Sequence, residues 1–485
     1  MFLRSSVLVS LSLLAPTSSQ LTENLLECAT SANDVVDFFP QKYTKASIFT
    51  YNDDTDINGN KFVPHNTTDL LDITYHGTYK IVHNKHINVT YLLYQCGTEP
   101  PAEEIGKHHL VLPVPHKGGL VVTQTTQIPP IDLLGLREEI VGYFGDPSFV
   151  SSPCMQYMMN NESSIEVVFD ATYNYTLGQE LQADFFGRNP DALVFVGPNS
   201  PGTGPREIGV AASQERTNVA TFDWIALFAA LYNLEAESTR IARETQARYD
   251  CSSSNAAVLA STSTERELQA SPVKKKVLWA NYFAPYNWSV AECPTWDNTY
   301  YCEYAKHCGA DIVSRPEGYG NTVSFGGPQV YWYLDDQQLK ELGKDADVWI
   351  YSGTNFESVY EEKKEFMDQF KAVQDELVYD IQGQGSTAWF EQRLAEYEVV
   401  TLDFCDIVGN SNPDNNVFLW TLIVNPMRLQ SHLLKHQPMK KYLLLLPQSE
   451  NLRSQLSKHL PSPPTKPQPA NLLMASLDGC MFYLL

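Results

Sequence analysis

The residues of this chain that could do chemistry are many, but few stand at spacings that chemistry requires. There is no GxSxG elbow for a nucleophilic serine and no HExxH pair for zinc. There is no Walker lysine loop for phosphate and no GxGxxG turn for a dinucleotide. Gly197-Pro198-Asn199-Ser200-Pro201-Gly202-Thr203-Gly204 is glycine-rich and follows a strand-like run, yet it lacks the Lys-Ser/Thr of a phosphate loop and reads as a plain loop. His83, His86, His108, His109 and His116 cluster in sequence. Neutral imidazoles bind metals, but no ligand spacing repeats, and a polar surface is the simpler reading. Carboxylates are so numerous, at 57, that any glycosidase pair drawn from them is arbitrary. No catalytic residue and no metal ligand is expected, and the chain is expected to be a non-enzyme.

A different pattern stands at the carboxyl ends of the expected strands. Thr125, Thr126 and Gln127 follow one. Tyr143 and Phe144 follow another. Trp279, Tyr282, Phe283 and the nearby Trp288 follow a third, and Tyr351 and Ser352 a fourth. Open parallel sheets hold ligands beyond these ends. Aromatic rings beside neutral hydrogen-bonding groups suit one bulky, partly apolar, amide-rich ligand in a cleft between two domains.

The elements that would position these groups follow from hydrophobic patterning. Tyr79–Val82 and Val89–Tyr94 alternate like a hairpin. Gly119–Thr123, Glu139–Tyr143 and Asp191–Gly197 read as buried strands, with a short helix over Ile131–Leu136 closed by a glycine. Residues 222–250 form the clearest helix. Asp223 can cap it, and Trp224, Leu227, Phe228, Leu231, Leu234, Ile241 and Ala242 share one stripe. The Ser/Thr/Ala-rich stretch from Ser252 to Pro272 reads as a loop. Lys276–Ala280, Asp347–Tyr351 and Glu398–Asp403 read as strands of a second unit. Helices are expected around Leu339–Leu342 and over 357–378.

The expected fold class is α/β, with two lobes built on central parallel sheets and joined by a long α-helix. The expected divisions are a signal peptide over 1–19, an N-terminal extension with a β-hairpin over 20–107, and an N-terminal lobe over 108–221. An inter-lobe helix over 222–250, a loop over 251–273, a C-terminal lobe over 274–410 and a tail over 411–485 complete them.

Composition bounds the function. Of 485 residues, 43% are apolar and 19% charged, as in a globular protein with sizeable cores. No run reaches the ~18–20 apolar residues of a membrane span, which excludes a multi-pass transporter. With 34 basic and 57 acidic residues the net charge is −23, so nucleic acid is not an expected partner.

Arg4, the apolar run Val7–Ala15 and the small residues Thr17-Ser18-Ser19 form a secretory signal, which predicts a secreted or cell-surface protein. Sequons at Asn66, Asn88, Asn161, Asn174 and Asn287 agree with export. Nine cysteines in an oxidising compartment should mostly pair and leave at least one over. Cys293, Cys302 and Cys308 lie close enough for a local bridge.

Gly119–Thr126 with Leu133–Leu136 and Glu139–Gly142, then Asp191–Val196, Asp223-Trp224 with Phe228–Glu235, and Asp347–Ile350 together resemble the vitamin and metal-chelate class of periplasmic solute-binding proteins. That class is the class III architecture, with two α/β lobes on one helix. The signal, the sequons, Tyr94-Gln95-Cys96-Gly97-Thr98 and Tyr300-Tyr301-Cys302-Glu303 resemble the secreted algal cobalamin acquisition family. The resemblance covers residues 110–408 and implies capture of cobalamin, a small-molecule ligand, for uptake through a membrane transporter or receptor. Ferric siderophore, haem or bare metal is the alternative cargo on the same fold, with Arg206 and the histidines as its expected ligands. A secreted glycoside or ester hydrolase is the alternative from another class. No resident cofactor is expected.

Overall fold

The computed structural model describes residues 26–29, 67–76, 78–162, 164–172, 174–266, 274–284, 287–291, 293, 300–314, 319–323, 331–383, 385–409 and 421–422. The expected signal peptide, Asn66 and all of the 411–485 tail except residues 421–422 lie outside these.

A four-stranded sheet comes first: β1 (Leu71–Tyr75), β2 (Tyr79–Asn84), β3 (Val89–Gln95) and β4 (Leu110–Val114), in that spatial order. The expected hairpin is β2 with β3. Leu71, Ile73 and Tyr75 are buried while Asp72 and Thr74 between them are not, which is the period-two signature of a half-buried strand.

The N-terminal lobe follows. Its elements are β5 (Leu120–Val122), α1 (Ile128–Leu133), β6 (Ile140–Tyr143), α2 (Pro153–Tyr157), β7 (Glu166–Val167), α3 (Tyr175–Arg188), β8 (Leu193–Val196) and β9 (Glu207–Gly209). The five strands pair in the order β7-β6-β5-β8-β9, all parallel. Every residue of β5 and β8 is buried, as expected for strands covered on both faces.

Three helices lead out of this lobe: α4 (Asn218–Phe222), α5 (Ile225–Tyr232) and α6 (Glu235–Arg266). The uninterrupted helix expected over 222–250 is therefore broken. All of α5 is buried, so it belongs to the lobe's core and is not a stripe on a connecting rod. It ends at Asn233, whose backbone is left-handed (φ 57°, ψ 32°), a conformation asparagine tolerates better than most residues.

The break is held by a buried polar knot. Asn233 Oδ1 accepts from Lys80 Nζ at 2.8 Å, and its Nδ2 donates to Gln95 Oε1 at 3.1 Å. Lys80 also pairs with Glu235, which accepts from the Tyr75 hydroxyl at 3.0 Å.

The connecting helix is α6, displaced toward the C-terminus of the expected rod. Ile241, Ala242 and Tyr249 pack in the N-terminal core and Ala256 in the C-terminal one, so α6 carries the chain between lobes. The loop expected over 251–273 is helical to Arg266. Alanines favour helix, no Gly or Pro interrupts the segment, and two of its serines bond back into it. Ser252 Oγ donates to the Arg248 carbonyl at 3.1 Å and Ser254 Oγ to that of Asp250 at 2.8 Å.

The C-terminal lobe contains β10 (Lys276–Tyr282), β11 (Trp288–Ala291), α7 (Tyr300–His307), β12 (Asp311–Ile312), β13 (Asn321–Val323), β14 (Tyr331–Leu334), α8 (Asp336–Gly343) and β15 (Val348–Tyr351). It continues through α9 (Phe356–Met367), α10 (Lys371–Gln374), β16 (Val378–Asp380), α11 (Ala388–Gln392), α12 (Tyr397–Ile407) and β17 (Thr421–Leu422). Its parallel centre is β12-β10-β15-β16. β11, β14 and β13 extend it antiparallel from the far end of β10, and β17 closes the other side.

Two expectations change here. The strand expected at Glu398–Asp403 is helix α12, because Tyr397, Val400, Phe404 and Ile407 recur at helical spacing and bury one face, which overrides the β-branched run. The helix expected over 357–378 ends at Met367, and its last residue opens β16.

Disulfides join Cys28–Cys96, Cys293–Cys302 and Cys308–Cys405. The local bridge thus uses Cys293 and Cys302. Cys251 is free and exposed. The fold class is α/β, two lobes with central parallel sheets joined by a long helix.

Candidate functional site at the lobe interface

Because the strands of the N-terminal sheet are parallel, their carboxyl ends share one edge. β5 runs into the turn Thr125–Gln127, which the Gln127 side chain builds. Its Oε1 accepts from the backbone N–H of Thr123 at 2.9 Å and of Gln124 at 3.2 Å. Thr123 Oγ1 ties the turn to β8 through the Phe195 carbonyl at 2.8 Å. Gly197, just past β8, leaves room for the Gln124 amide, which would lie 2.2 Å from a Cβ there.

This edge meets the C-terminal lobe through two carboxylates. Glu391 on α11 is buried and accepts from the backbone N–H of Ser151 on one oxygen and of Ser152 on the other, the latter at 2.9 Å. Glu303 on α7 places Oε2 against Asn218 at the start of α4. It accepts from the backbone N–H at 2.6 Å and from Nδ2 at 2.7 Å. Burial pushes the Glu303 carboxyl up to about 7 against the pull of those two bonds, and it raises the Glu391 carboxyl as well.

Between the lobes lies a cavity of ≈ 20 Å³ lined in part by Thr126, Leu133, Phe222, Phe228, Leu394 and Ala395. That is room for about one water molecule. The lobes touch, and a bulky ligand here requires them to part.

The nominated ligand residues divide into two groups. Gln127, Tyr143, Trp279, Trp288 and Tyr351 are each at most 2% exposed and present no free face to a ligand. Strand ends in a sheet covered on both sides are still core, and these residues are its framework. Trp279 packs against Tyr301, Trp389 and Phe404. Trp288 packs against Trp349 and donates Nε1–H to Asp336 at 2.7 Å. Tyr351 donates to Asn355 Oδ1 at 2.9 Å and accepts the Tyr282 N–H at 3.1 Å.

Thr125, Thr126, Phe144, Tyr282 and Ser352 are half-buried, and Phe283 is 49% exposed. Phe144 leans edge-on against Phe185 and Phe186. Lys363 Nζ sits 5.0 Å from the Tyr282 ring centre, and Ser352 Oγ donates to Asn281 Oδ1 at 2.9 Å.

Sequence reasoning missed the bridge itself and the two rings beside it. Phe149 and Phe390, 54% and 57% exposed, lie within two residues of the Ser151–Glu391 contact, one on each lobe. No signal in a single sequence marks one glutamate out of so many acids.

The histidines do not gather. His108 bonds Thr90 and Glu104, His109 the Gly204 carbonyl, and the buried His116 the Gly119 carbonyl. Among the described residues no group of three or more His, Cys, Asp or Glu is placed to hold a metal. Arg206 stands just before β9, at the opposite edge of the sheet, stacked 5.0 Å over Phe186. Neither feature reaches the lobe interface, so neither serves the iron-chelate alternative in the way the sequence predicts.

Among the sequons, Asn88, Asn174 and Asn287 are exposed, Asn88 (φ 53°) and Asn287 (φ 73°) in turns beside strands. The side chain of Asn161 lies outside the described residues. Among the described residues no helix is long and apolar enough to cross a membrane.

No family model matches the chain, and no curated protein does. Solved structures do. A periplasmic haem-binding protein from Pseudomonas aeruginosa is similar at 12% identity and a TM-score of 0.43, over 62% of this chain and 96% of that one. A periplasmic vitamin B12-binding protein from Vibrio cholerae is similar at 11% identity and a TM-score of 0.36, over 60% and 96%. A petrobactin-binding protein from Bacillus subtilis is similar at 13% identity and a TM-score of 0.41, over 61% and 93%.

Proposed function

We propose that this protein is a secreted or cell-surface, non-enzymatic solute-binding protein that takes a bulky neutral ligand between its lobes for cellular uptake, with cobalamin as that ligand. The observation that carries the reading is the meeting of the two lobes at the carboxyl edge of the N-terminal sheet, with one helix, α6, carrying the chain between them. The polar groups Thr125 and Thr126 at this edge, and Ser352 past β15 in the C-terminal lobe, are neutral and suit amide side chains more than a multiply charged chelate. Phe149, Phe283 and Phe390 supply exposed ring faces. The buried tryptophans hold the framework on which these rings stand. Glycans at Asn88, Asn174 and Asn287 and delivery to a membrane transporter or receptor belong to the same reading.

The lobes must separate to admit a corrin, and opening draws on the ligand's binding energy. Calorimetric titration of the purified protein with cyanocobalamin tests the reading, with heat and saturation expected at micromolar concentrations. Absence of heat, together with thermal stabilisation by haem or a ferric hydroxamate in a parallel screen, would transfer the fold to an iron cargo. Absence of a response to all three would remove the solute-binding reading.

A further inference from the structure

The contacts that cross the lobe interface have an unusual chemistry. In both bridges a carboxylate of the C-terminal lobe accepts from backbone or amide N–H groups of the N-terminal lobe, and Asn218 Nδ2 also donates to the Tyr300 carbonyl at 3.3 Å. Among the described residues no lysine or arginine forms an ion pair with either carboxylate, and both are buried where the lobes meet. We propose that Glu303 is a proton sensor for lobe closure and that Glu391 is the fixed second point of the same latch.

The two points differ in geometry. Glu391 takes one N–H on each oxygen, so both oxygens are committed. Glu303 takes both Asn218 donors on Oε2, which leaves Oε1 to carry a proton without loss of either bond. The surroundings of Glu303 hold that proton in place. Tyr249 on α6 and Tyr397 on α12 are near enough to interact with it electrostatically, the Tyr249 hydroxyl beside Asn218, and both hydroxyls are buried. A protonated Oε1 is a donor beside such acceptors.

On its own helix Glu303 is flanked by Tyr304, by Lys306, which favours the ionised form, and by His307. Burial holds His307 down to about 4, so it stays neutral near pH 7. Around Glu391 the N-terminal lobe presents Tyr143 and Asp132, the latter paired with Arg137 at 2.8 Å. From its own segment Arg393 is directed away, over the Tyr300 ring.

The direction follows from linkage. A carboxyl solvated in the parted lobes keeps its ordinary value, while the same carboxyl in the latch is raised by burial. Closure therefore takes up a proton, and acid favours closure. Rising pH ionises the buried group and loosens the latch. The inference rests on the binding reading only in supposing that the lobes part.

The test needs no ligand, so its outcome is separate from that of the cobalamin titration. Hydrogen exchange at the Asn218 amide and the scattering radius of the full chain are measured at pH 6 and pH 8. After division by intrinsic exchange, protection is expected to be about tenfold higher at pH 6, from one proton taken up near neutrality. The radius should be smaller at pH 6.

Glu303→Gln keeps the acceptor and removes the proton, so it should hold the pH 6 protection at both values. Glu396→Gln is the control. Burial raises that neighbouring carboxyl to about 7 as well, and its loss should leave the response intact. Wild-type protection that does not change between the two pH values, a response that survives in Glu303→Gln, or one that vanishes in Glu396→Gln each overturns the proposal.

Discussion

The two lobes are both α/β, yet they are held together by different means. The N-terminal lobe has a wholly parallel five-stranded sheet, a core rich in aliphatic side chains and a second sheet, β1–β4, sealed against it by the Lys80–Glu235–Asn233 knot. The C-terminal lobe has a mixed sheet and an aromatic core around Trp279, Trp288 and Trp349. Two disulfides, Cys293–Cys302 and Cys308–Cys405, lie within it. The N-terminal lobe is cross-linked as well, since Cys154 on α2 is disulfide-bonded. A mixed sheet with short strands and long connections gains more from cross-links, which act chiefly on the unfolded chain.

This contrast can be broken or sharpened by experiment. The largest effect is expected for Cys308→Ser with Cys405→Ser. The bridge spans 97 residues and is buried, so its loss should cost about 4–5 kcal/mol by loop-closure entropy. Calorimetry should show the C-terminal transition falling while the N-terminal one holds. A uniform fall of both would show that the lobes unfold as one unit.

Lys80→Ala comes next. It takes the ammonium away from the buried Glu235 carboxylate and should cost about 3–5 kcal/mol, read by denaturant unfolding. Here the N-terminal transition should move, and a Lys80→Met, Glu235→Leu pair should recover most of the loss. Phe283→Ala is the smallest. The ring is exposed, so stability should change by less than ~0.5 kcal/mol, while affinity for cobalamin falls several-fold. Unchanged affinity would remove Phe283 from the site.

What the sequence made legible follows the same division. The buried strands β5, β6, β8, β10 and β15 are continuous apolar runs, and such runs read plainly. The connecting helix was misplaced because Asn233 looks like any polar residue in a helical stripe. Its left-handed turn depends on Lys80 and Gln95, about 150 and 140 residues away in sequence. α12 reads as strand from sequence because Val399-Val400-Thr401 is β-branched, and only tertiary burial decides such a run. The site was legible as an edge of the sheet but not as side chains. Tyr351 and Trp288 look identical in sequence whether they face a ligand or a core. Glu303 and Glu391 act through backbone donors that carry no sequence signal.

The knot at Asn233 bears on how small a working version of this protein can be. A fragment beginning at residue 108 would retain both lobes and α6. It would also strip Lys80, Tyr75 and Gln95 from the foot of that helix and take the Lys80 ammonium from the buried Glu235. The leading sheet thus behaves as the socket in which the shaft between the lobes is seated, and trimming it would leave the shaft without a bearing.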